Sequence, residues 1–408
     1  MLTTGRRQAR RLLVLAVVLA AGTGITGCSR GPFHSGTRTP TTKPDRMPTT
    51  VAPVSATPTT DCVGIHLDEW SLAELAAQTV VVPADETEVQ AVAAAVADGA
   101  GGIILFGSSA PTDLGKQLAT VEKQTPTSVR PFVMTDEEGG DIQRMANLVG
   151  NLPWPRTMAQ TMSPDQVRHA AATVGAAMKA VGVTMDLAPV LDLASGPGPD
   201  ATHTDGPRSF SADAQTASTF GVSFARGLED AGVLPVAKHF PGEGSASANT
   251  DDAPASSPPL DTLIKSDLLP FRAAITAGMP AVMVGNATVP GLSAQPAALS
   301  SAVITGLLRD QLSFDGLVLT DSLSAGAVSA AGYDVPSAAV AALGAGADMV
   351  LFNAPPGSGS TTRLYEQVTA AIVHAVDTGT VPRPRLVEAA THILAAKKIL
   401  VCPGSDHS

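Results

Sequence analysis

The chain has 408 residues, of which 44% are hydrophobic and 3% are aromatic, and its formal net charge is −11 at pH 7. This composition is typical of a globular protein, and the length suits one large domain or two ordinary ones. The excess of acidic residues and the scarcity of aromatic ones argue against nucleic-acid binding, which needs basic patches and stacking platforms, so we expect no nucleic-acid partner.

The N-terminus is predicted to be a targeting segment. Four arginines between residues 6 and 11 precede an apolar run, residues 12–21, that is too short to span a bilayer. The run is followed by Ile25-Thr26-Gly27-Cys28, which resembles a bacterial lipobox. The resemblance implies that residues 1–27 are a signal peptide and that Cys28 carries a lipid anchor on the outer face of the bacterial membrane. The alternatives are an uncleaved signal anchor or ordinary secretion with a chance cysteine.

Residues 28–60 are rich in Pro, Thr and Ser and have no apolar period, which predicts a flexible tether. The folded region is predicted to span residues 61–402, with residues 403–408 as a tail. Cys62 and Cys402 lie at its two ends, and an oxidising compartment would let them form a disulfide. The alternative is a pair of free thiols, because the sequence does not show whether the two residues approach each other.

From Trp70 onward, short apolar runs alternate with long Ala-rich amphipathic segments. The predicted strands are 79–83, 102–106, 131–136, 184–189, 235–239, 281–286, 316–321 and 348–352. The predicted helices are 86–97, 112–122, 164–180, 212–231, 260–277, 301–311, 336–343, 361–377 and 384–399. Eight βα units predict a single-domain α/β fold of the (β/α)8 TIM-barrel type. The alternative is a doubly wound open sheet, but no Gly-x-Gly-x-x-Gly turn follows the first strand.

Polar residues end or follow five of the predicted strands, at the barrel face where active sites lie. They are Asp136, Asp192, the pair Lys238-His239, Asn286 and Asp321. Convergence from five strands predicts a functional site, although any one of these residues could be a local hydrogen-bonding cap. No His pair or acidic cluster has metal-ligand spacing, so we expect neither a metal nor a cofactor.

Five ordered motifs resemble those of glycoside hydrolase family 3, within it the single-domain β-N-acetylglucosaminidases of bacterial cell-wall turnover. They are DEEGGDIQR at 136–144, DLAPVLDL at 186–193, RSFSAD at 208–213, KHFPG at 238–242 and LTDSLSAGA at 319–327. The resemblance implies that Asp321 is the catalytic nucleophile. It also implies that five residues bind sugar hydroxyls: Asp136, Arg144, Arg208, Lys238 and His239. Without the resemblance, Asp321 could equally be a helix cap or a metal ligand.

The segment AKHFPGEGSASANTDDAP at 237–254 departs from the family pattern, which has a second histidine and then an Asp-Ser-His acid/base. Glu243 replaces that second histidine, and Asn249-Thr250-Asp251 replaces the Asp-Ser-His. A further usual histidine is replaced by Asn286. Asp251, or less probably Glu243, could supply the acid if burial raises its pKa. Alternatively, Glu243, Asp251 and Asp252 form a solvated acidic loop, an interpretation that we favour for Glu243 and Asp252.

The sequence therefore predicts a monomeric glycosidase that hydrolyses terminal β-N-acetylglucosamine from saccharides or muropeptides, with retention of configuration and a glycosyl-Asp321 intermediate. Two alternatives stay open. One is a muropeptide-binding lipoprotein with poor or no catalysis, because the family's acid/base pair is missing. The other is a hydrolase of a different β-glycoside.

Overall fold

The computed structural model describes residues 64–354 and 359–402, in which eight parallel strands form a closed barrel. Each strand pairs with its neighbours in chain order, and β8 pairs with β1 to close the barrel. This confirms the predicted (β/α)8 TIM-type fold. The strands are β1 Val80–Asp85, β2 Gly102–Phe106, β3 Phe132–Thr135, β4 Met185–Asp186, β5 Leu234–Phe240, β6 Ala281–Val284, β7 Leu317–Ser322 and β8 Met349–Leu351.

The strands are apolar on both faces because both faces are buried. Alternate residues such as Val81, Ile104 and Met134 point into the barrel and form an inner core. Their neighbours Val82 and Ile103 belong to a larger core between the strands and the outer helices. Near-continuous apolar runs are typical of parallel strands covered on both sides.

Helices surround the barrel. The α-helices are Leu72–Gln78, Ala93–Ala97, Leu114–Glu122, Ala146–Val149, Pro155–Thr161, Pro164–Ala180, Ala214–Asp230, Leu260–Lys265, Leu268–Thr276, Gly326–Ala330, Val335–Ala345, Ser360–Asp377 and Arg383–Ala396. Residues Ala302–Gln311 form a π-helix, and Val89–Val92, Gly206–Arg208 and Ala297–Leu299 are 3₁₀ turns. Within the described residues, no helix is both long and apolar enough to cross a bilayer.

Local sequence signals explain where the helix Pro164–Ala180 begins. Ser163 accepts a hydrogen bond from the Gln166 backbone N–H at 3.3 Å, and the Gln166 side chain accepts one from the Ser163 N–H at 2.7 Å. This reciprocal capping satisfies two backbone donors that the first turn would otherwise leave unpaired. Pro164 follows at the first helical position, where its missing N–H costs nothing.

Two predicted helices differ from the structure. The predicted helix 260–277 is two helices, Leu260–Lys265 and Leu268–Thr276. Pro270 explains the break, because a proline in a continuous helix would clash with the carbonyl four residues earlier, whereas here it lies in a first turn. The predicted helix 86–97 begins only at the 3₁₀ turn Val89–Val92, because the Asp85 carboxylate accepts the Thr87 N–H at 2.8 Å and forms a turn.

The sequence did not predict the insertions around the C-terminal mouth of the barrel. After β3, a short hairpin pairs Glu137–Gly139 with Ile142–Gln143, and two short helices follow before Pro164. The hairpin turn contains Gly140, whose φ is +61° and where a Cβ would collide with the Trp154 ring. A second hairpin, Thr288–Val289 with Ser293–Pro296, follows β6. The first hairpin contributes Glu138 and Ile142 to the wall of the pocket at this mouth.

The two ends of the described domain lie together. Ile65 pairs with Val401, and the Cys402 N–H donates to the Ile65 carbonyl at 2.8 Å. Cys402 is buried and disulfide-bonded. Its predicted partner Cys62 lies outside the described residues, as do the predicted signal peptide, Cys28, the tether and the tail 403–408.

Candidate active site

A cavity of about 230 Å³ lies at the C-terminal mouth of the barrel. Its volume is below the 300–1,000 Å³ that is typical of pockets for drug-sized ligands, so it suits one small ring rather than a long chain. The cavity is lined by all seven residues that the sequence predicted as catalytic or sugar-binding: Asp136, Arg144, Arg208, Lys238, His239, Asp251 and Asp321. The structure thus brings together residues that are up to 185 positions apart, from 136 to 321.

Four of the pocket residues form one buried ionic network. The Lys238 ammonium lies 2.7 Å from Asp136 Oδ1 and 2.6 Å from Glu138 Oε1. Arg208 donates two parallel hydrogen bonds to Glu138, from Nε and Nη2, each 2.8 Å long. A two-point contact of this kind fixes the guanidinium plane as well as its charge. The network therefore presents two cations at fixed positions in the pocket wall.

The sequence analysis missed Glu138, although it is central to this network. The acidic run at 136–138 was the sequence feature that could have indicated a role for Glu138. The structure shows why the pocket needs a second carboxylate besides Asp136. Lys238 and Arg208 are both nearly buried, so two cations need two anionic partners. Glu138 supplies the second.

The network holds its carboxylates in the ionised form. Burial alone would raise the pKa of Asp136, but the charges of Lys238 and Arg144 outweigh it and lower that pKa. The pKa of Glu138 is lowered further, because Arg208 and Lys238 together overcome its burial. Conversely, the two carboxylates keep the pKa of Lys238 above its usual value despite burial.

Arg144 covers the open side of Asp136. Its Nη2 lies 3.3 Å from Asp136 Oδ2, and its guanidinium lies over the Phe106 ring, 5.7 Å from the ring centroid. Within the described residues, the buried Arg144 Nε has no hydrogen-bond partner. Arg144 is therefore positioned by Asp136 and Phe106.

His239 is held from behind by Asp192. Asp192 Oδ2 lies 2.6 Å from His239 Nδ1 and accepts the His239 backbone N–H at 2.9 Å, while Oδ1 accepts the Glu243 N–H at 2.6 Å. Burial raises the pKa of Asp192 to about 7 and lowers that of His239. Asp192 follows β4 and therefore fixes the imidazole orientation from the neighbouring strand.

One group at the site has donor atoms that could hold a metal ion. Atoms of Asp192, Asp205 and His239 lie within 4.8 Å of one another, and all three residues are buried. The spacing of these residues along the sequence did not predict this proximity. Asp192 accepts two backbone N–H groups and lies 2.6 Å from His239 Nδ1. Arg208 Nη1 lies 3.4 Å from Asp205 Oδ1, but within the described residues neither buried carboxylate oxygen of Asp205 has a hydrogen-bond partner, and burial raises the Asp205 pKa to about 7.

Asp321 is at the end of β7, where its carboxylate Oδ1 accepts the Ser322 N–H at 2.7 Å. Burial raises its pKa, and the negative charge of Asp251 raises it further, whereas His239 opposes the shift. Asp321 is thus a partly enclosed carboxyl in an environment that includes a second carboxyl and an imidazole.

The loop from Gly242 to Ala253 covers one side of the pocket, which is lined by Asn249, Thr250 and Asp251. The carbonyls of Thr250 and Asp251 accept backbone hydrogen bonds from Ala327 and Gly326, at 3.0 and 2.9 Å. These contacts connect the loop to the segment that follows β7, and β7 is the strand that carries Asp321. Although the Asp251 side chain is exposed, its protein surroundings raise its pKa, with Arg208 opposing the shift.

Glu243 is not a solvated acid, so that prediction was wrong. Its side chain is 1% exposed, and its Oε1 accepts the Ala287 N–H at 2.7 Å while Oε2 lies 3.4 Å from the Thr250 hydroxyl. Burial raises the pKa of Glu243 well above its usual value, and the charge of Asp321 adds to the shift. Glu243 lies beneath the loop and is not among the pocket-lining residues. Asp252, by contrast, is exposed as predicted.

Asn286, which replaces a histidine of the family pattern, also lies behind the pocket wall. It is buried, and its amide donates to the Ser322 carbonyl at 2.9 Å. Asn286 therefore supports the backbone next to Asp321 and does not line the pocket.

Chemically, the pocket offers two carboxyls with raised pKa values, Asp321 and Asp251, facing a wall of fixed cations and one imidazole. Cationic donors and ionised acceptors suit a ligand that is rich in hydroxyl groups. A pair of carboxyls suits acid-assisted displacement at a carbon bearing a leaving oxygen.

Comparisons with known proteins agree with this chemistry. The family model described as "Glycosyl hydrolase family 3 N terminal domain" matches residues 70–396 of the chain. The chain is 37% identical over 349 residues to "Beta-hexosaminidase LpqI" of Mycobacterium tuberculosis, covering 83% of this chain and 87% of that protein. It is 36% identical over 260 residues to a "Beta-hexosaminidase" of Thiobacillus denitrificans, covering 62% and 70% of the two chains.

Solved structures give the same result. The structure titled "M tuberculosis LpqI" superimposes with a TM-score of 0.72 and 34% identity, covering 80% of this chain and 94% of that chain. A β-N-acetylhexosaminidase from Beutenbergia cavernae superimposes with a TM-score of 0.73 and 29% identity, covering 81% and 99%. The chain is therefore a member of glycosyl hydrolase family 3.

Proposed function

We propose that the chain is a retaining β-N-acetylglucosaminidase that removes terminal N-acetylglucosamine from peptidoglycan fragments, with Asp321 as nucleophile and Asp251 as acid/base. The relatives' names, β-hexosaminidase and β-N-acetylhexosaminidase, support the sugar. The small cavity supports attack on one terminal residue rather than within a chain. The peptidoglycan source is an inference from the resemblance to cell-wall turnover enzymes and from the predicted export.

In the first step, Asp321 attacks the anomeric carbon while Asp251, protonated, donates its proton to the leaving oxygen. A covalent glycosyl-Asp321 ester forms and the leaving sugar departs as an alcohol. Asp136 accepts hydrogen bonds from sugar hydroxyls. Lys238, Arg208 and the imidazole of His239 form further hydrogen bonds with the sugar. Because these groups are already fixed by Glu138 and Asp192, little reorganisation is needed at the moment of reaction.

In the second step, the ionised Asp251 takes a proton from water, which attacks the same carbon from the face the leaving group vacated. The ester bond to Asp321 breaks, and the sugar is released with its original β configuration. One residue thus serves first as acid and then as base, as microscopic reversibility requires.

One observation carries this proposal: Asp251 lines the same small cavity as Asp321, in the place where the family pattern has its histidine. Burial raises the pKa of Asp321, the protein surroundings raise that of the exposed Asp251, and the charge of Asp251 contributes to the shift at Asp321. Two carboxyls that disfavour each other's ionisation can share one proton, which is the state that an acid–nucleophile pair needs.

We also propose that the protein is exported and held on the outer face of the membrane through a lipid on Cys28. The tether then places the barrel among cell-wall fragments, where we propose that it acts as a monomer.

The test uses 4-nitrophenyl β-N-acetylglucosaminide, a GlcNAc disaccharide and the Asp321→Asn variant. We expect both substrates to be hydrolysed and the variant to lose measurable activity, with β-N-acetylglucosamine as the first product by proton NMR. If Asp321→Asn binds GlcNAc as tightly as the unsubstituted protein does, the pocket of the variant is intact.

Three results would contradict the proposal. Unchanged activity in Asp321→Asn would remove the nucleophile assignment. Saturable GlcNAc binding without turnover of either substrate would instead indicate a sugar-binding protein that has lost catalysis. Faster turnover of another nitrophenyl sugar would replace the proposed substrate.

A further inference from the structure

A second and larger cavity, of about 550 Å³, lies at the opposite, N-terminal mouth of the barrel. Its wall contains Phe132 and Leu234, which begin β3 and β5, and Pro280, which precedes β6. Residues 395–399, at and just after the C-terminal end of the helix Arg383–Ala396, also line it. The cavity is thus separated from the catalytic pocket by the filled interior of the barrel.

The wall of this cavity is basic, although the chain as a whole is acidic. It contains four basic residues, Arg130, Lys179, Lys397 and Lys398, and one acidic residue, Glu229. Two ion pairs join the wall to residues outside it: Glu229 lies 2.8 Å from Arg226 Nη1, and Arg130 Nη1 lies 3.1 Å from Glu122 Oε2. With these partners included, the cavity still has an excess of positive charge, in a chain of formal net charge −11.

Lys397 carries the least compensated of these charges. Its ammonium donates to Gln78 Oε1 at 3.1 Å and to the Gly101 carbonyl at 3.0 Å, and it lies 5.1 Å from the Phe132 ring centroid. All three partners are neutral, and in the part of the chain that the structure describes no carboxylate pairs with Lys397. Burial lowers its pKa to about 7. An ammonium has three N–H donors, and protein acceptors take two of them.

Apart from Ser128 and Thr184, the rest of the wall is apolar. Phe132, Leu234 and Ile399 contribute side chains, together with Pro131, Val233 and Pro280. An uncompensated cation beside an apolar surface suits an amphiphilic anion, since the head group supplies the missing charge and the tail covers apolar area. A phosphate group carries up to about two negative charges and three acceptor oxygens, which match a wall with several cations.

We propose that this cavity binds a phosphate ester with an apolar substituent, its phosphate against Lys397 and its substituent against Phe132 and Leu234. The ligand comes either from a soluble phosphate ester or from the head group of a membrane phospholipid. The lipid source is worth testing because the N-terminal segment enters the domain at this end: Ile65 pairs with Val401, two residues after Ile399 of the cavity wall.

The experiment measures binding of hexyl phosphate to the full chain by titration calorimetry at pH 6.5. Lys397→Met removes the charge but keeps the apolar stem, and Lys265→Met removes an exposed lysine elsewhere as the matched control. We expect saturable binding that weakens at least tenfold in Lys397→Met and is unchanged in Lys265→Met. Hydrolysis of the nitrophenyl substrate should be unchanged in both variants, because Lys397 is far from the catalytic pocket.

Two further arms distinguish the sources of the ligand. Phosphatidylcholine vesicles with and without phosphatidylglycerol test the lipid, and the Lys397→Met chain controls for vesicle binding through the apolar N-terminal run. Lys397-dependent binding to the anionic vesicles supports a lipid head group, whereas hexyl phosphate binding without it supports a soluble ester. Inorganic phosphate tests the role of the apolar wall and should bind more weakly than hexyl phosphate.

The proposal is overturned if hexyl phosphate does not bind saturably, if Lys397→Met binds it equally well, or if inorganic phosphate binds as tightly. Should Lys397→Met fold poorly, the unsubstituted protein provides an independent readout. In protein with ¹³C-labelled lysine, hexyl phosphate should raise the pKa of Lys397, and no such rise would equally contradict the proposal.

Discussion

The Thr250 hydroxyl lies 3.4 Å from the buried Glu243 carboxyl, and Thr250 directly precedes Asp251 in the chain. The same carboxyl accepts the Ala287 N–H at 2.7 Å, from the segment that follows β6. Glu243 thus links the loop that carries the proposed acid/base to a rigid strand end. The residue that replaces a histidine of the family pattern has a supporting position beneath the loop.

Glu243→Ala should therefore impair both stability and catalysis. The change leaves the buried Ala287 N–H without its acceptor, which costs about 1–3 kcal/mol. It also removes the contact to Thr250, so we expect kcat to fall more than KM rises. Thermal unfolding and steady-state kinetics measure the two effects.

Two substitutions at Thr250 test the contact between its hydroxyl and Glu243. Thr250→Val removes the hydroxyl at nearly constant volume, and Thr250→Ser keeps it. We expect a lower kcat in the valine variant and near-normal kcat in the serine variant. Equal kcat in the two would mean that the hydroxyl does not position the loop.

Asp251→Ala should reduce hydrolysis of the GlcNAc disaccharide by about 10²–10⁴-fold, because its leaving group needs a proton. The nitrophenyl substrate has a much better leaving group and should lose less in its first step. Added azide should then restore turnover of that substrate and give β-glycosyl azide, since a small anion can replace the missing base. Product analysis by NMR identifies the anomer.

Asp252→Ala is the control, because Asp252 is the adjacent exposed carboxyl in the same loop. It should leave the rates on both substrates near those of the unsubstituted protein. If Asp252→Ala reproduced the loss, or if Asp251→Ala had none, the acid would have to be sought elsewhere in the pocket.

The pH profile of kcat/KM should report the two carboxyls as a coupled pair. Catalysis needs Asp321 ionised and Asp251 protonated, so activity falls below the lower apparent pKa and above the higher one. Because burial raises the pKa of Asp321 and the protein surroundings raise that of the exposed Asp251, both limbs should lie at higher pH than for isolated aspartates. Asp251→Asn should remove the alkaline limb and leave the acidic limb near its position, since Asp251 is already neutral when Asp321 loses its proton. An unchanged profile in this variant would contradict the pairing.

The fold was predictable because its signals are local. Eight apolar runs mark the strands, and reciprocal capping at Ser163 marks the start of a long helix at the predicted residue. The helix break before Leu268 was also predictable in principle, since Pro270 cannot lie inside a continuous helix.

The site was predictable where residues follow barrel strands, as Asp136, Lys238 and Asp321 do. It was not predictable where a side chain's role depends on a distant partner. Glu138 pairs with Arg208, 70 residues away, and the burial of Glu243 depends on Ala287, 44 residues away. The sequence alone does not show that the Glu243 carboxyl is buried, because the residue that contacts it is distant along the chain.

Lys397 should make the stability of the barrel depend on pH in a defined direction. Its pKa is about 7 in the folded protein against 10.5 for a free lysine, so between these values the unfolded chain binds more protons. Stability therefore rises with pH through this window, and the cost of the buried charge is fully present below about pH 7. Lys397→Met removes that cost, so the variant's Tm minus that of the unsubstituted protein should be larger at pH 6 than at pH 9. Differential scanning calorimetry measures the difference, and Lys265→Met should show none at either pH. A difference that grows with pH would mean that Lys397 is stabilised as a cation in the folded state.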